Sequence, residues 1–68
     1  MSYAPEVIAD SSGKWVGNGL RFATYQEAFD YAFDLSLRWT MVTNWHAVES
    51  TDPVNFSYLG KELTEVQP

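Results

Sequence analysis

Hydrophobic and polar positions change their period along the chain, and these changes outline a small mixed domain. A β-branched run over Pro5–Asp10 is followed by Ser-Ser-Gly, and a second run returns over Lys14–Phe22. Because glycine readily adopts the left-handed backbone of tight turns, the pattern predicts a β-hairpin that turns at Asp10–Gly13. The Gly-Asn-Gly sequence at Gly17–Gly19 interrupts the second run and indicates a bulge or bend.

The clearest local signal is the start of a helix. Thr24 is followed three residues later by Glu27, the capping-box pattern in which the threonine oxygen accepts the N–H of the glutamate. Apolar residues then recur with helical period as far as Arg38, whose positive charge suits the C-terminal end of a helix. We therefore predict a helix over Tyr25–Arg38.

The segment after the helix alternates and is rich in β-branched residues, so Thr40–Ser50 is predicted to be a third strand. Pro53 marks a turn, and Phe56–Val66 follows as a short fourth strand or a weak hairpin around Gly60-Lys61. Strict alternation assigns Met41, Thr43, Trp45 and Ala47 to one face of the third strand and Val42, Asn44, His46 and Val48 to the other.

These elements predict a single small α+β domain over residues 1–68. It contains a β-hairpin, one helix and one or two further strands, in a mainly antiparallel sheet with the helix on one face. Residues 1–4 and 64–68 are expected to be frayed. Apolar residues make up 46% of the chain and aromatic residues 16%, which is enough for a core at this length.

The predicted helix has more apolar side chains than one buried face can use. Ala28, Ala32, Leu35 and Trp39 point one way at 100° per residue and should pack on the sheet. The helix stripe, defined as Phe29, Phe33 and Leu37, lies to one side of that core face, with Asp30 and Asp34 beside it. Glu27, Asp34 and Arg38 lie roughly opposite the core face and are expected to be solvated.

Two explanations of the helix stripe remain open. The C-terminal segment could fold over it, with Val54, Phe56, Tyr58 or Leu59 covering the rings. Alternatively, the stripe is an exposed apolar patch with an acidic rim, which is typical of a surface that binds a protein or a second copy. Leaving such side chains in water forgoes about 1.5–3 kcal/mol each, so something is expected to cover them.

Charge and composition narrow the classes of function. The net charge of −5 disfavours direct binding to nucleic acid or to anionic lipid. No apolar run has the length that spans a bilayer, and the N-terminal residues lack a signal-peptide pattern, so neither a membrane span nor export is expected. The absence of cysteine removes disulfides, thiolate nucleophiles and Cys-based zinc sites.

Tests for catalytic or ligand-binding groups give no enzyme, cofactor or metal site. Ser50, His46 and Glu49 are too close along one strand to converge as nucleophile, base and acid. His46 is instead expected to be a surface or half-buried strand residue. The glycines of Gly13–Gly19 lack the spacing of phosphate-binding loops.

Three longer stretches, "GKWVGNGLRFAT", "EAFDYAFDLSLRWT" and "NWHAVESTDPVN", give the chain a resemblance to known sequences. Over about Pro5 to Phe56 it resembles a set of short proteins encoded by phages, prophages and bacteria, to which no activity is assigned. The resemblance implies a small accessory protein that acts in a bacterial cytoplasm during phage infection. It transfers no catalytic or binding residue.

The leading hypothesis is therefore a non-enzymatic protein-interaction module. Its partner would be a host or phage protein or a second copy, held by Phe29, Phe33 and Leu37 with Asp30 and Asp34 at the rim. One alternative is an acidic inhibitor that occupies the nucleic-acid groove of a host defence complex, which requires acids gathered on one face. Another is a small-ligand site formed by Trp15, Trp39 and Trp45, which requires a concave apolar pocket.

Overall fold

The first strand lies at the centre of a three-stranded antiparallel sheet. The computed structural model describes residues 1–9 and 13–66. β2 and β3 flank β1, and β4 pairs with β5 in a separate two-stranded sheet, which confirms an α+β fold with antiparallel pairing. In chain order the elements are β1 (Ser2–Ala9), β2 (Trp15–Gly17), α1 (Tyr25–Arg38), β3 (Val42–Ser50), β4 (Phe56–Leu59) and β5 (Glu62–Glu65).

Residues 2–4 belong to β1, whereas the sequence predicted frayed residues 1–4. Ser2 and Tyr3 pair with Ser50 and Glu49 of β3. The Ser2 side chain is fully buried, and its hydroxyl donates a hydrogen bond to the Asp52 carbonyl oxygen at 2.7 Å. The β3 residues that pair with this end are more than 40 residues away in the sequence, so no local pattern could predict the pairing.

The second strand is shorter than predicted, and Pro5 explains where it ends. Tyr3 exchanges two backbone hydrogen bonds of 2.8 Å with Phe22, so every second residue of β1 directs its backbone groups to that side. Pro5 is the next such residue, and it has no N–H to offer. Pairing with β2 accordingly stops at Gly17, opposite Glu6, and the chain bends before the Phe22 bridge, as predicted for Gly17–Gly19.

Helix α1 has the predicted bounds and packs against β1 and β3. Ala28 and Ala32 are fully buried, as expected for the small residues that let a helix approach a sheet closely. Around them the core forms two clusters. Val7, Ala32 and Val42 make one, joined by Leu35 and Trp45; Phe22, Ala28 and Tyr58 make the other, joined by Tyr3, Leu20, Tyr31, Ala47 and Phe56.

Strict alternation gives the wrong face for Val42. Val42 and Trp45 belong to the same core cluster, although the sequence assigned them to opposite faces of the strand. The register with β1 shifts between Ile8, opposite Asn44, and Ala9, opposite Val42, so Thr43 is an extra residue in the strand. Such a bulge reverses the alternation on one side of it.

The C-terminal segment forms the hairpin that was one of its two predicted structures. Gly60 and Lys61 make a two-residue turn with φ of 58° and 65°. Thr64 and Glu65, predicted to be frayed, belong to β5, while residues 67–68 lie outside the described part of the chain. Of the turn predicted at Asp10–Gly13, only Gly13 is described, with φ of 72°.

Candidate functional site

The helix stripe remains partly open to solvent. Leu37 is 64% exposed and Phe33 is 40% exposed. Phe29 is half-buried and stacks on Tyr25 with 5.9 Å between ring centroids. The stripe is therefore an apolar surface whose exposure increases toward the C-terminal end of α1.

The stripe is continuous with the edge of the sheet. The Phe33 ring lies 5.5 Å from Trp45, which belongs to β3, and β3 is an edge strand. Met41 and Trp39, in the connection between α1 and β3, are also exposed. The apolar surface thus extends from the helix to the strand at the border of the sheet.

The C-terminal hairpin packs on α1 through Glu27 and Asp34, and its turn borders the grooves that Phe33 and Leu37 line. The backbone N–H of Tyr58 donates to Glu27 Oε2 at 2.9 Å, and the Tyr58 hydroxyl donates to Asp34 Oδ2. Tyr58 and Phe56 pack with Phe22, whereas Leu59 is 69% exposed. The tail therefore does bury aromatic surface, but its buried rings pack in the core rather than over the stripe.

The prediction that Glu27 and Asp34 are solvated is wrong. Glu27 is only 7% exposed, and Asp34 is half-buried under the Tyr58 hydroxyl. A helical wheel supposes one buried side, but this helix is packed between a sheet and a hairpin. No local signal could have shown the second contact, because Tyr58 lies 31 residues beyond Glu27.

Glu27 also completes the predicted helix cap. Thr24 Oγ1 accepts from the Glu27 backbone N–H at 3.2 Å, and the Thr24 hydroxyl donates to Glu27 Oε1 at 2.9 Å. One carboxylate oxygen of Glu27 thereby binds the cap, and the other binds β4. One side chain connects the start of the helix to the hairpin.

Burial of the Tyr58 hydroxyl changes its acidity. Removal from water, and then the hydrogen bond to the Asp34 carboxylate and its negative charge, raise the pKa of Tyr58 to about 12 from 10.0. The neutral phenol is therefore the form that the folded protein favours. Tyr58 acts here as a structural hydrogen-bond donor, holding the hairpin against the helix.

The acidic rim borders a shallow groove. Asp30 accepts from Gln26 Nε2 at 2.7 Å, and neither Asp30 nor Asp34 takes part in the ion pairs that the described residues form. The groove has a volume of about 300 Å³. It is lined by Asp30, Phe33, Asp34, Tyr58, Gly60 and Lys61.

The acids of the described residues do not gather on one face. Glu6 lies beside His46 on the open face of the sheet, which is the face opposite α1. Asp52, in the loop after β3, pairs with Arg21. Glu27 points into the hairpin contact, and Glu62 and Glu65 lie on β5. This geometry gives no support to the hypothesis of an acidic inhibitor that imitates nucleic acid.

His46 lies half-buried on the open face of the sheet, as predicted for a strand histidine. Its Nε2 lies 2.7 Å from Glu6 Oε1, and its ring stacks on Trp15 at 3.5 Å with 9° between the planes. The Ser50 hydroxyl instead contacts Arg21 and the Asp52 backbone. His46 therefore connects the two outer strands across β1.

The three tryptophans lie in separate places. Trp15 covers the open face of the sheet, Trp45 packs under Phe33, and Trp39 ends the helix. A groove of about 250 Å³ between β2 and α1 is lined by Trp39 but by neither of the others. The three tryptophans therefore do not line this groove together.

Within residues 1–9 and 13–66, no group of three or more His, Asp or Glu side chains is placed to hold a metal ion. In the same residues, α1 is too short and too polar to cross a membrane.

Comparison with known proteins gives no relative. No protein-family model matches the chain, and neither a curated protein nor a solved structure matches it.

Proposed function

We propose that this protein is a non-enzymatic protein-interaction module that associates through the helix stripe. The observation that supports it is the exposure of Phe33 and Leu37 in a fold whose C-terminal hairpin packs beside these side chains without burying them. The C-terminal hairpin does not cover the stripe, so the stripe remains exposed to water. A protein surface is the occupant that can cover it.

The energetics of the stripe favour association. Burying an exposed side chain of this size contributes about 1.5–3 kcal/mol, and every 1.4 kcal/mol is a tenfold change in affinity. Phe33 and Leu37 are 40% and 64% exposed, so each still has apolar area to bury in a contact. Asp30 and Asp34 lie beside them as the polar rim.

The setting is part of the same proposal. The three sequence stretches that resemble short phage, prophage and bacterial proteins support an accessory role in a bacterial cytoplasm during infection. In that setting the module binds a host or phage protein or a second copy of itself. No enzymatic step is assigned to it.

The decisive variant is Leu37→Asp, which places a charge in the most exposed part of the stripe. We expect its association constant, measured by sedimentation of the purified protein with and without infected-cell extract, to fall at least tenfold. Thermal unfolding should stay within a few degrees of wild type, because the side chain is mostly exposed.

Leu59→Asp is the matched control, since Leu59 is similarly exposed but lies on β4 and lines neither groove beside the stripe. It should leave association unchanged. If Leu37→Asp unfolds the protein, or if both variants associate as wild type does, the stripe is not a binding surface.

A further inference from the structure

β3 offers a long open edge. Its nine residues extend for roughly 30 Å, and the molecule measures 36 Å in its longest dimension. Among the described residues, β1 pairs with one side of β3 and no strand pairs with the other. An uncovered edge of this length is a template for strand addition.

The backbone groups that face outward can be assigned. Tyr3 directs both its backbone groups to Phe22, so its pair with Glu49 on β3 is not hydrogen-bonded. The N–H and C=O of Glu49 therefore point away from β1. By alternation so do those of Ala47 and Trp45, and Pro5 lies opposite Ala47, where β1 needs no donor toward β3.

One outward donor is already used. The Trp45 N–H donates to the Asn44 side-chain oxygen at 3.1 Å. The Ala47 and Glu49 N–H groups and the three carbonyl oxygens remain to be paired. These groups are symmetric about Ala47, the smallest side chain of the three.

We propose that the partner of the helix stripe is a second copy of this chain, joined by antiparallel pairing of β3 with β3 about a two-fold axis at Ala47. This inference rests on the proposed function, because it names the occupant of the same surface. The two sheets then form one six-stranded sheet, with both helices on the same side.

A register centred on Ala47 is more favourable for this edge than registers centred on neighbouring residues. Ala47 lies opposite Ala47 of the partner subunit, and Trp45 lies opposite the partner's Glu49. Four backbone hydrogen bonds form without displacing the Asn44 side chain. A register centred on Glu49 would instead bring two carboxylates face to face, which is unfavourable.

The same pairing covers the stripe. Phe33 packs on Trp45, an edge residue, so a strand added beside β3 brings the partner's face residues alongside Phe33. Leu37 lies one helical turn further along the same surface. A second copy therefore covers the open edge and the apolar surface together. A contact through only one of these two surfaces would leave the other exposed to water.

Charge gives this dimer a distinctive salt dependence. Each copy carries a net charge of −5, so the two copies repel one another at long range. Added salt screens that repulsion. We expect the dimerisation constant from sedimentation equilibrium to rise with NaCl, whereas contact with a basic partner would weaken.

The first test uses the outward N–H of Glu49. Glu49→Pro removes a donor that the β1–β3 pairing does not use, and proline is tolerated at such edge positions. We expect the wild-type protein to sediment as a dimer and Glu49→Pro as a monomer with an unchanged far-ultraviolet circular dichroism spectrum. Glu49→Thr keeps the N–H and should remain dimeric.

The second test reads the register. The chain has no cysteine, so one introduced thiol can form a disulfide only between copies. Ala47→Cys places two Cα atoms about 5.5 Å apart across the axis, within disulfide range. Glu49→Cys places them about 14 Å apart and should not cross-link under the same mild oxidation on a non-reducing gel.

The outcomes separate this inference from the proposed function. A dimer that Leu37→Asp disrupts but Glu49→Pro does not, or one in which position 49 cross-links and 47 does not, overturns the edge pairing and leaves the stripe as the interface. A dimer disrupted only by Glu49→Pro contradicts the role of the stripe. A wild-type protein that stays monomeric at every concentration and salt tested overturns the second copy as partner.

Discussion

In this small chain a single residue, Tyr58, connects the hairpin, the helix and the core. Its ring is 6% exposed against Phe22 and Tyr31, its N–H binds Glu27, and its hydroxyl binds Asp34. Three kinds of interaction therefore depend on its position. The raised pKa follows from the same surroundings.

The pKa of Tyr58 predicts a loss of stability at alkaline pH. In the folded protein the pKa is about 12, against 10.0 when the group is in water. Below pH 10.0 the phenol is neutral in both states, and its contribution to stability is complete. Above that pH the unfolded chain ionises first, so the contribution is lost as pH rises toward about 12.

Urea unfolding at a series of pH values across that window checks this expectation. The difference in unfolding free energy between wild type and Tyr58→Phe should shrink as pH rises, since phenylalanine has no proton to lose. Spectrophotometric titration should show one late-ionising tyrosine that the variant lacks. A difference that stays constant across the window would contradict the raised pKa.

At the scale of elements, α1 begins where Thr24 and Glu27 meet. The pair exchanges two hydrogen bonds, and the remaining carboxylate oxygen of Glu27 accepts from β4. The start of the helix and the position of the hairpin are thus fixed by the same carboxylate. Loss of the threonine hydroxyl affects both.

Thr24→Ala is expected to lower the unfolding free energy by about 1–2 kcal/mol, at the upper end for a helix cap, because the buried Glu27 also loses a donor. Thr24→Ser retains the hydroxyl and should lie close to wild type. Chemical unfolding of the two variants in parallel gives the comparison. Equal stability of alanine and serine at this position would show that the cap contributes nothing.

Local chemistry was sufficient to predict the helix, but it left the C-terminal turn undecided. The capping pair defined the start of α1, and Gly60-Lys61 indicated a hairpin as one of two possibilities. The faces of β3 were not predictable, because the bulge at Thr43 depends on the register with β1. The burial of Glu27 was missed for a similar reason, since its partner Tyr58 comes from the other side of the fold.

The candidate site was predicted in part. Phe33 and Leu37 are exposed, which is one of the two alternatives that the apolar surplus left open, whereas Phe29 is half-buried and Asp34 is engaged by Tyr58. Periodicity gives the direction of each side chain around a helix. It does not give the neighbours that a distant segment places there.

At the scale of the whole molecule, the core depends on a contribution from the last dozen described residues. Phe56 and Tyr58 pack with Phe22 and Ala28, and Asn55 receives the Val66 N–H. A chain of this length buries only about 60% of its unfolded surface, so the loss of any large part of that buried surface is destabilising.

A chain that ends at Val54 should therefore lose cooperative unfolding. Removing the hairpin exposes Phe22 and leaves Glu27 without its β4 donor. We expect the tryptophan near-ultraviolet circular dichroism signal to disappear, while Leu63→Ser in the full chain, at an exposed hairpin position, retains it. A sharp thermal transition in the truncated chain would show that the hairpin is an accessory to the core.

The gap that Pro5 makes in the central strand has a consequence for assembly. It limits β2 to three residues, so that side of the three-stranded sheet offers only a short edge. A sheet with two open edges can stack copies without end and form fibres, whereas a sheet with one can join a single neighbour and then stop. A missing amide hydrogen at one position thus makes the β2 side of this sheet a poorer template for strand addition than the β3 edge.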